Sequence, residues 1–211
     1  MLQKLHQIIR DGEGLTAEFK RCKNELASNV YETVSSFSNR YGGYILLGVE
    51  DNGEVSGVNP EAVTKMKKDF ANSLNNPQRF APTLFLALEE AEINGKTVLW
   101  CYVPPNSQVV MFGGRIFDRN EDGDMDITRN SMMVAHIHQR KTADYSERKV
   151  FPYLQEHSEI NAATTAKIIG RSPGTARRIL SQLVKEGIVA ISGGNRNRVY
   201  RAIKGERDDR T

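Results

Sequence analysis

The chain has 211 residues, enough for one large domain or two small ones, and its 39% hydrophobic and 26% charged content suits a soluble globular protein. No apolar run approaches the ~20 residues of a membrane span, and the opening "MLQKLHQIIRDGEG" lacks the apolar centre and cleavage site of a secretory signal. The two cysteines, Cys22 and Cys101, stand in no CxxC pair, which excludes a disulfide framework and a zinc ribbon and leads us to expect a cytoplasmic protein with two ordinary thiols and no membrane partner.

The net charge of +3 is small but uneven. From Asp144 to Thr211 there are 13 Lys+Arg and 8 Asp+Glu, a net +5, while residues 1 to 143 hold 16 and 18, a net −2. A mildly acidic body with a basic end points to an anionic partner for that end, nucleic acid being the usual one. A solvated basic surface is the plain alternative.

In chain order, Leu2 to Arg10 reads as an amphipathic helix and Thr16 to Lys20 as a strand. Alternation along that strand puts Glu18 and Lys20 on one face and Phe19 on the other. Leu26, Val30, Val34 and Phe37 in "LASNVYETVSSFSNR" are spaced four, four and three apart, one face of a helix. Gly42-Gly43 breaks it. "YILLGV" is a near-continuous apolar strand, expected to be buried on both faces. "EDNGEV" is a turn whose Asn52-Gly53 is a hairpin signal. "PEAVTKMKKDFANSL" is a helix opened by Pro60. Thr83 to Pro104 reads as two strands around Asn94-Gly95, "QVVMF" and "GRIFDR" as two more, and "TRNSMMVAHIHQRK" as a closing helix. Strands and helices mix over residues 1–141, which predicts an α/β (α+β) domain with a mixed sheet.

A second domain is expected over residues 145–204, with a frayed tail at 205–211. "SERKVFPYLQEH" and "NAATTAKIIG" give two helices. "RSPGTARRILSQLVKEG" gives a third, with Ala176, Ile179, Leu180, Leu183 and Val184 on one apolar stripe and Gly187 as its stop. "IVAIS", "GGNRNR" and "VYRAI" then form a β-hairpin. Three helices and a hairpin in about sixty residues resemble the winged helix-turn-helix class of DNA-binding proteins. A helix of that class fits a major groove. Arg171, Ser172, Thr175, Arg177 and Arg178 at the start of the third helix, and Arg196 and Arg198 on the glycine-rich hairpin tip, are the candidate nucleic-acid-binding residues. Winged helices also serve as protein-docking modules, which stays open here.

In the N-terminal part, Glu13, the strand Glu18-Phe19-Lys20, "SSFSNRYGGYILLGVEDNG" and Gly57-Val58 together resemble the Schlafen AlbA-type domain over roughly residues 10 to 120. The series Phe37, Asn39, Gly42-Gly43, Gly48 and Asp51 makes the match specific. The resemblance implies one of two things. Some members pair this domain with a C-terminal helix-turn-helix as transcriptional regulators. Nuclease members use three carboxylates and a divalent metal to cut RNA, and those carboxylates fall on Glu13, Glu18 and Asp51 here, with Lys20 beside them. Such a set would suit Mg²⁺ or Mn²⁺, which would activate water and neutralise phosphate. A structural ion pair and an ordinary Asp-Asn-Gly turn explain the same residues without a metal.

Other motifs carry less. No GxxxxGK[ST] loop exists, and "RYGGYI" precedes a strand instead of following one, so ATP is not expected. "DRNEDGDMDITR" matches the first half of a calcium loop at Asp118, Asn120, Asp122 and Gly123, but its twelfth position is Arg129, so an acidic surface loop is expected. His136 and His138 are two apart on a helix and point to different faces. The expected protein is therefore a DNA-binding transcriptional regulator acting as a homodimer on paired half-sites. The alternative is a metal-dependent endoribonuclease that takes RNA.

Overall fold

A computed structural model of the chain describes residues 1–120, 123–142, 150, 153–154, 157, 159–185, 188–194 and 198–202. The chain divides into two compact units, Met1–Gln139 and Arg140–Lys204.

The first unit is built on a four-stranded mixed sheet. Its strands are β1 (Ala17–Lys20), β2 (Gly43–Leu47), β4 (Glu89–Ile93) and β5 (Lys96–Val103), in the order β1-β2-β5-β4. The first pair is parallel, with Glu18 opposite Ile45, and the other two pairs are antiparallel. β2 is buried along its whole length, as a strand apolar on both faces must be. Alternation sorts its residues between two cores. Tyr44 and Leu46 pack with Phe19, Val98 and Leu5 of helix α1 (Leu2–Asp11) on one face. Ile45 and Leu47 pack with Leu99, Cys101 and Val103 on the other, under α2 (Ser28–Asn39) and α3 (Val63–Leu74).

A second sheet, in the order β3 (Phe80–Ala81), β6 (Met111–Phe112), β7 (Arg115–Asn120), β8 (Gly123–Asp126), also packs against α2. Helix α4 (Ser131–Thr142) packs on it through Ile137, Met133 and Val134 against Ile116 and Ile127. Helix α2 is thus enclosed on two sides, which one apolar stripe in its sequence did not foretell. Val30, Val34 and Phe37 meet the first sheet, while Thr33, Ser35, Ser36, Ser38 and Asn39 are also buried. Their polar groups are bonded, as burial requires. Ser35 Oγ donates to Val110 O at 2.8 Å, and Asn39 clamps Val110 through both its N–H and its carbonyl while also reaching Phe117 O.

Two glycines of the "YGGYILLG" stretch are set by close packing. A Cβ on Gly43 would lie 2.6 Å from the Phe37 ring. Gly48 has φ +87°, and a Cβ there would lie 2.8 Å from the Gly57 backbone. The Asn52-Gly53 turn closes between Val49 and Val55 as expected, with Glu54 N–H donating to Asn52 Oδ1.

The structure departs from the sequence reading in two places. Residues 83–88 are irregular, and the strand expected from Thr83 begins only at Glu89. The expected acidic surface loop at 118–129 is instead largely a β-hairpin, β7 to β8, with Asn120 paired to Gly123. Asp118 is buried and Asp124 half-buried, because the alternation of the two strands turns Asp118 inward and Asp124 toward α2 and Arg119.

In the second unit, α5 (Ala162–Ile169) is capped by Asn161, whose side chain accepts from Thr164 N–H, and it stops at Gly170 in the left-handed conformation. A short turn leads to α6 (Pro173–Lys185), with Pro173 in the first position, where a missing N–H costs nothing. The antiparallel hairpin β9 (Val189–Ser192) and β10 (Val199–Ala202) follows, and Tyr200 also bridges to Ile160 ahead of α5. Among its described residues, Val150, Leu154, Ile160, Ala166, Ile169, Ala176, Ile179, Leu180, Leu183, Ile188, Val189 and Tyr200 are the buried apolar ones. Most of the helix expected from Ser146 to His157, the hairpin tip carrying Arg196, and the tail at 205–211 lie outside the described residues.

Candidate nucleic-acid interface

Two clusters of charge require an account, one in each unit. In the first, β1 lies at the edge of its sheet, and its outward backbone groups need partners. Glu13 supplies one: its Oε1 accepts from Phe19 N–H at 2.8 Å. Arg119, from β7, supplies others. Its Nη2 donates to Gly14 O at 2.8 Å and to Ala17 O at 3.2 Å, and its Nε reaches Gly14 O at 3.2 Å.

The same guanidinium binds Glu18 Oε2 and, at 3.0 Å, Asp124 Oδ1. Lys20 Nζ takes Glu18 Oε1. Asp124 in turn accepts from the hydroxyls of Thr33 and Ser36 in α2. Arg119 is 2% exposed and lies 5.0 Å from the centre of the Phe37 ring. One buried cation thereby ties β1, β7, β8 and α2 together.

The four sequence-predicted residues of this region lie near one another but are held differently. Glu18 and Lys20 pair with each other. Glu13 lies close enough for the charges of Glu18 and Asp51 to act on it, while its Oε1 accepts from the Phe19 backbone N–H. Burial is the main influence that pushes the Glu13 carboxyl up from its ordinary value, with the Glu18 and Asp51 charges adding to it, while the Phe19 N–H and Lys20 act in the opposite sense. Asp51 is exposed on the turn after β2. Both oxygens of Glu18 are thus held by cations, and among the described residues no three His, Cys, Asp or Glu side chains are grouped to hold a metal ion. In this arrangement Glu18 offers Mg²⁺ or Mn²⁺ no oxygen that is not already held by a cation. No local pattern marks the pairing of Arg119 with Glu18 or of Asp124 with Thr33 and Ser36, residues far away along the chain, and in the sequence Asp124 reads only as a carboxylate of the acidic loop.

In the second unit, Ser172 caps α6: its Oγ accepts from Thr175 N–H at 3.2 Å and lies 3.1 Å from the Thr175 hydroxyl. Both hydroxyls therefore have a local structural task. Arg177 and Arg178 are exposed, and among the described residues neither makes an ion pair or hydrogen bond. Arg171 and Arg198 are exposed as well. Arg201 is committed to Glu159, at 3.0 Å. The exposed face of α6 also includes Gly174, Ser181, Gln182 and Lys185. They could have been found by extending the apolar stripe's period to its opposite face. A basic, exposed helix face of this kind can enter a major groove and neutralise phosphate.

Comparison with known proteins agrees with both halves. The family model described as "Schlafen, AlbA_2" matches residues 13–128, and that described as "Winged helix-turn-helix DNA-binding" matches residues 144–190. Among solved structures, the DIP2311 protein from Corynebacterium diphtheriae is similar with a TM-score of 0.50 and 17% identity, over 67% of this chain and 32% of that one. The chain spans about a third of that protein's length, and the likeness is one of fold. The N-terminal domain of a Nitrosomonas europaea protein described as a "Putative ATP-dependent DNA Helicase RecG-related Protein" aligns at 26% identity over 49% of this chain and 71% of that one, with a TM-score of 0.38. No curated protein matches the sequence. Among the described residues no helix is long and apolar enough to cross a membrane.

Proposed function

This chain belongs to the Schlafen AlbA_2 family, matched over more than half its length, and from that premise we propose that it is a transcriptional regulator that binds duplex DNA through its winged helix as a cytoplasmic homodimer. The observation that carries the reading is the exposed pair Arg177 and Arg178 on α6, uncommitted among the described residues and presented by a helix-turn-helix. Two copies would set two such helices into successive major-groove faces of a paired half-site. In this reading the N-terminal unit senses a ligand or joins the two copies, and takes no part in hydrolysis. The cations already bound to Glu18 support a structural role for that carboxylate over the metal-dependent endoribonuclease reading.

The test is a titration of labelled random-sequence duplex DNA with the full chain, with and without Arg177→Ala and Arg178→Ala, alongside light scattering of the protein alone. The reading requires salt-sensitive binding that the double variant loses, and a dimer mass. Undiminished binding by the double variant, or a monomer on DNA, contradicts it.

A further inference from the structure

The solvent face of α6 separates two kinds of contact. Ala176, Ile179, Leu180 and Leu183 define its buried side. At 3.6 residues per turn, the line directly opposite is carried by Gly174, Arg178, Ser181 and Lys185, spaced four, three and four apart and all exposed. Arg177 is exposed too, but stands about 70° round the helix from that line. The two arginines, adjacent in sequence, therefore aim differently.

Arg178 has small neighbours on its line. Gly174 carries no side chain, and a Cβ there would meet only the Ser172 hydroxyl, at 3.7 Å. Ser181, one turn further on, is short. Small residues on both sides let the helix axis sink toward the floor of a groove. The major groove is about 12 Å wide, so a helix lying in it points its outermost line at base edges and its flanks at the phosphate walls.

We propose that Arg178 is the specificity-determining residue of this chain, reading one G·C pair through guanine O6 and N7, and that Arg177 holds a backbone phosphate and carries no sequence information. This rests on the DNA-binding reading above. Arginine is the residue for this task because its fork of N–H donors matches the two guanine acceptors, while on a phosphate it acts on every sequence alike.

The full chain is used to select a preferred duplex from a random library, and affinity is then measured for that duplex and for each single-base-pair change. Arg178→Ala is expected to lose about tenfold or more of discrimination at one G·C position and to keep its preferences elsewhere. Arg178→Asn is expected to move the preference at that position toward A·T. Arg177→Ala is expected to weaken all duplexes alike and to reduce the salt slope by about one. Full discrimination retained by Arg178→Ala, or a single-position loss in Arg177→Ala, overturns the assignment. A wild-type chain that binds duplexes without preference overturns the assignment and leaves the DNA-binding reading standing. A wild-type chain that binds no duplex overturns both.

Discussion

Arg119 in β7 donates to the Glu18 carboxylate in β1, joining two strands that belong to different sheets, and it does so with only 2% of its surface exposed. A buried cation of this kind is held by its partners, and its removal leaves Glu18 Oε2 and the Asp124 carboxylate without a paired cation, Lys20 remaining on Glu18 Oε1 alone. Arg119→Met is expected to destabilise the N-terminal unit by about 3–5 kcal/mol. Adding Glu18→Gln to that variant is expected to recover part of the loss. Denaturant unfolding followed through Trp100, the chain's single tryptophan, measures both. An Arg119→Met variant as stable as the parent would mean that the pairing contributes nothing.

Glu13 gives a pH signature with a defined sign. Burial raises its carboxyl in the folded state above the ordinary 4.5, so the folded chain holds this proton more tightly than the unfolded one. Its contribution then favours folding at low pH and is lost as pH rises above about 4.5. Glu13→Gln keeps an oxygen for the Phe19 N–H and removes the charge. The variant is expected to be at least as stable as the parent at pH 7 and to show a flatter dependence of melting temperature on pH between about 4.5 and 7. A steeper dependence in the variant would contradict this sign.

Much of this architecture is legible in the sequence, and the gaps have physical causes. Strand β2, the Asn52-Gly53 turn and the helix stops at Gly42-Gly43 and Gly170 are written locally, through apolar runs and backbone requirements. Helix α6 is written by its period. What local pattern cannot reveal is which polar residues meet across the fold. Asp118 and Asp124 look like surface acids in "DRNEDGDMD", yet they turn toward Arg40 and Arg119 because a hairpin replaces the loop. The polar half of α2 has the composition of a solvated face, and it is buried because a second sheet covers it.

Gly48 illustrates a requirement that sequence marks without explaining. Gly48→Ala places a Cβ 2.8 Å from backbone atoms of Gly57 at a φ of +87°. Strain and overpacking together are expected to cost about 2–4 kcal/mol, read as a lower urea midpoint of the Trp100 transition. An unchanged midpoint would show that the Gly48–Gly57 approach relaxes freely.

The pairing of Glu18 predicts its response to metal. With both its oxygens on Lys20 and Arg119, millimolar Mn²⁺ is expected to leave the melting temperature of the full chain unchanged, since only a ligand that binds the folded state raises it. A rise that Glu18→Gln abolishes would mean that the cations give way to the metal and would restore the nuclease reading.

In the proposed reading α6 grips DNA through its exposed Arg177 and Arg178. The most direct measurement is duplex affinity of the full chain as a function of salt, for the parent and for Arg177→Ala/Arg178→Ala. Log affinity is expected to fall linearly with log salt in the parent, and the double variant is expected to bind at least about tenfold more weakly with a shallower slope. Equal affinity and equal slope for the two proteins would place the contact elsewhere and contradict the account.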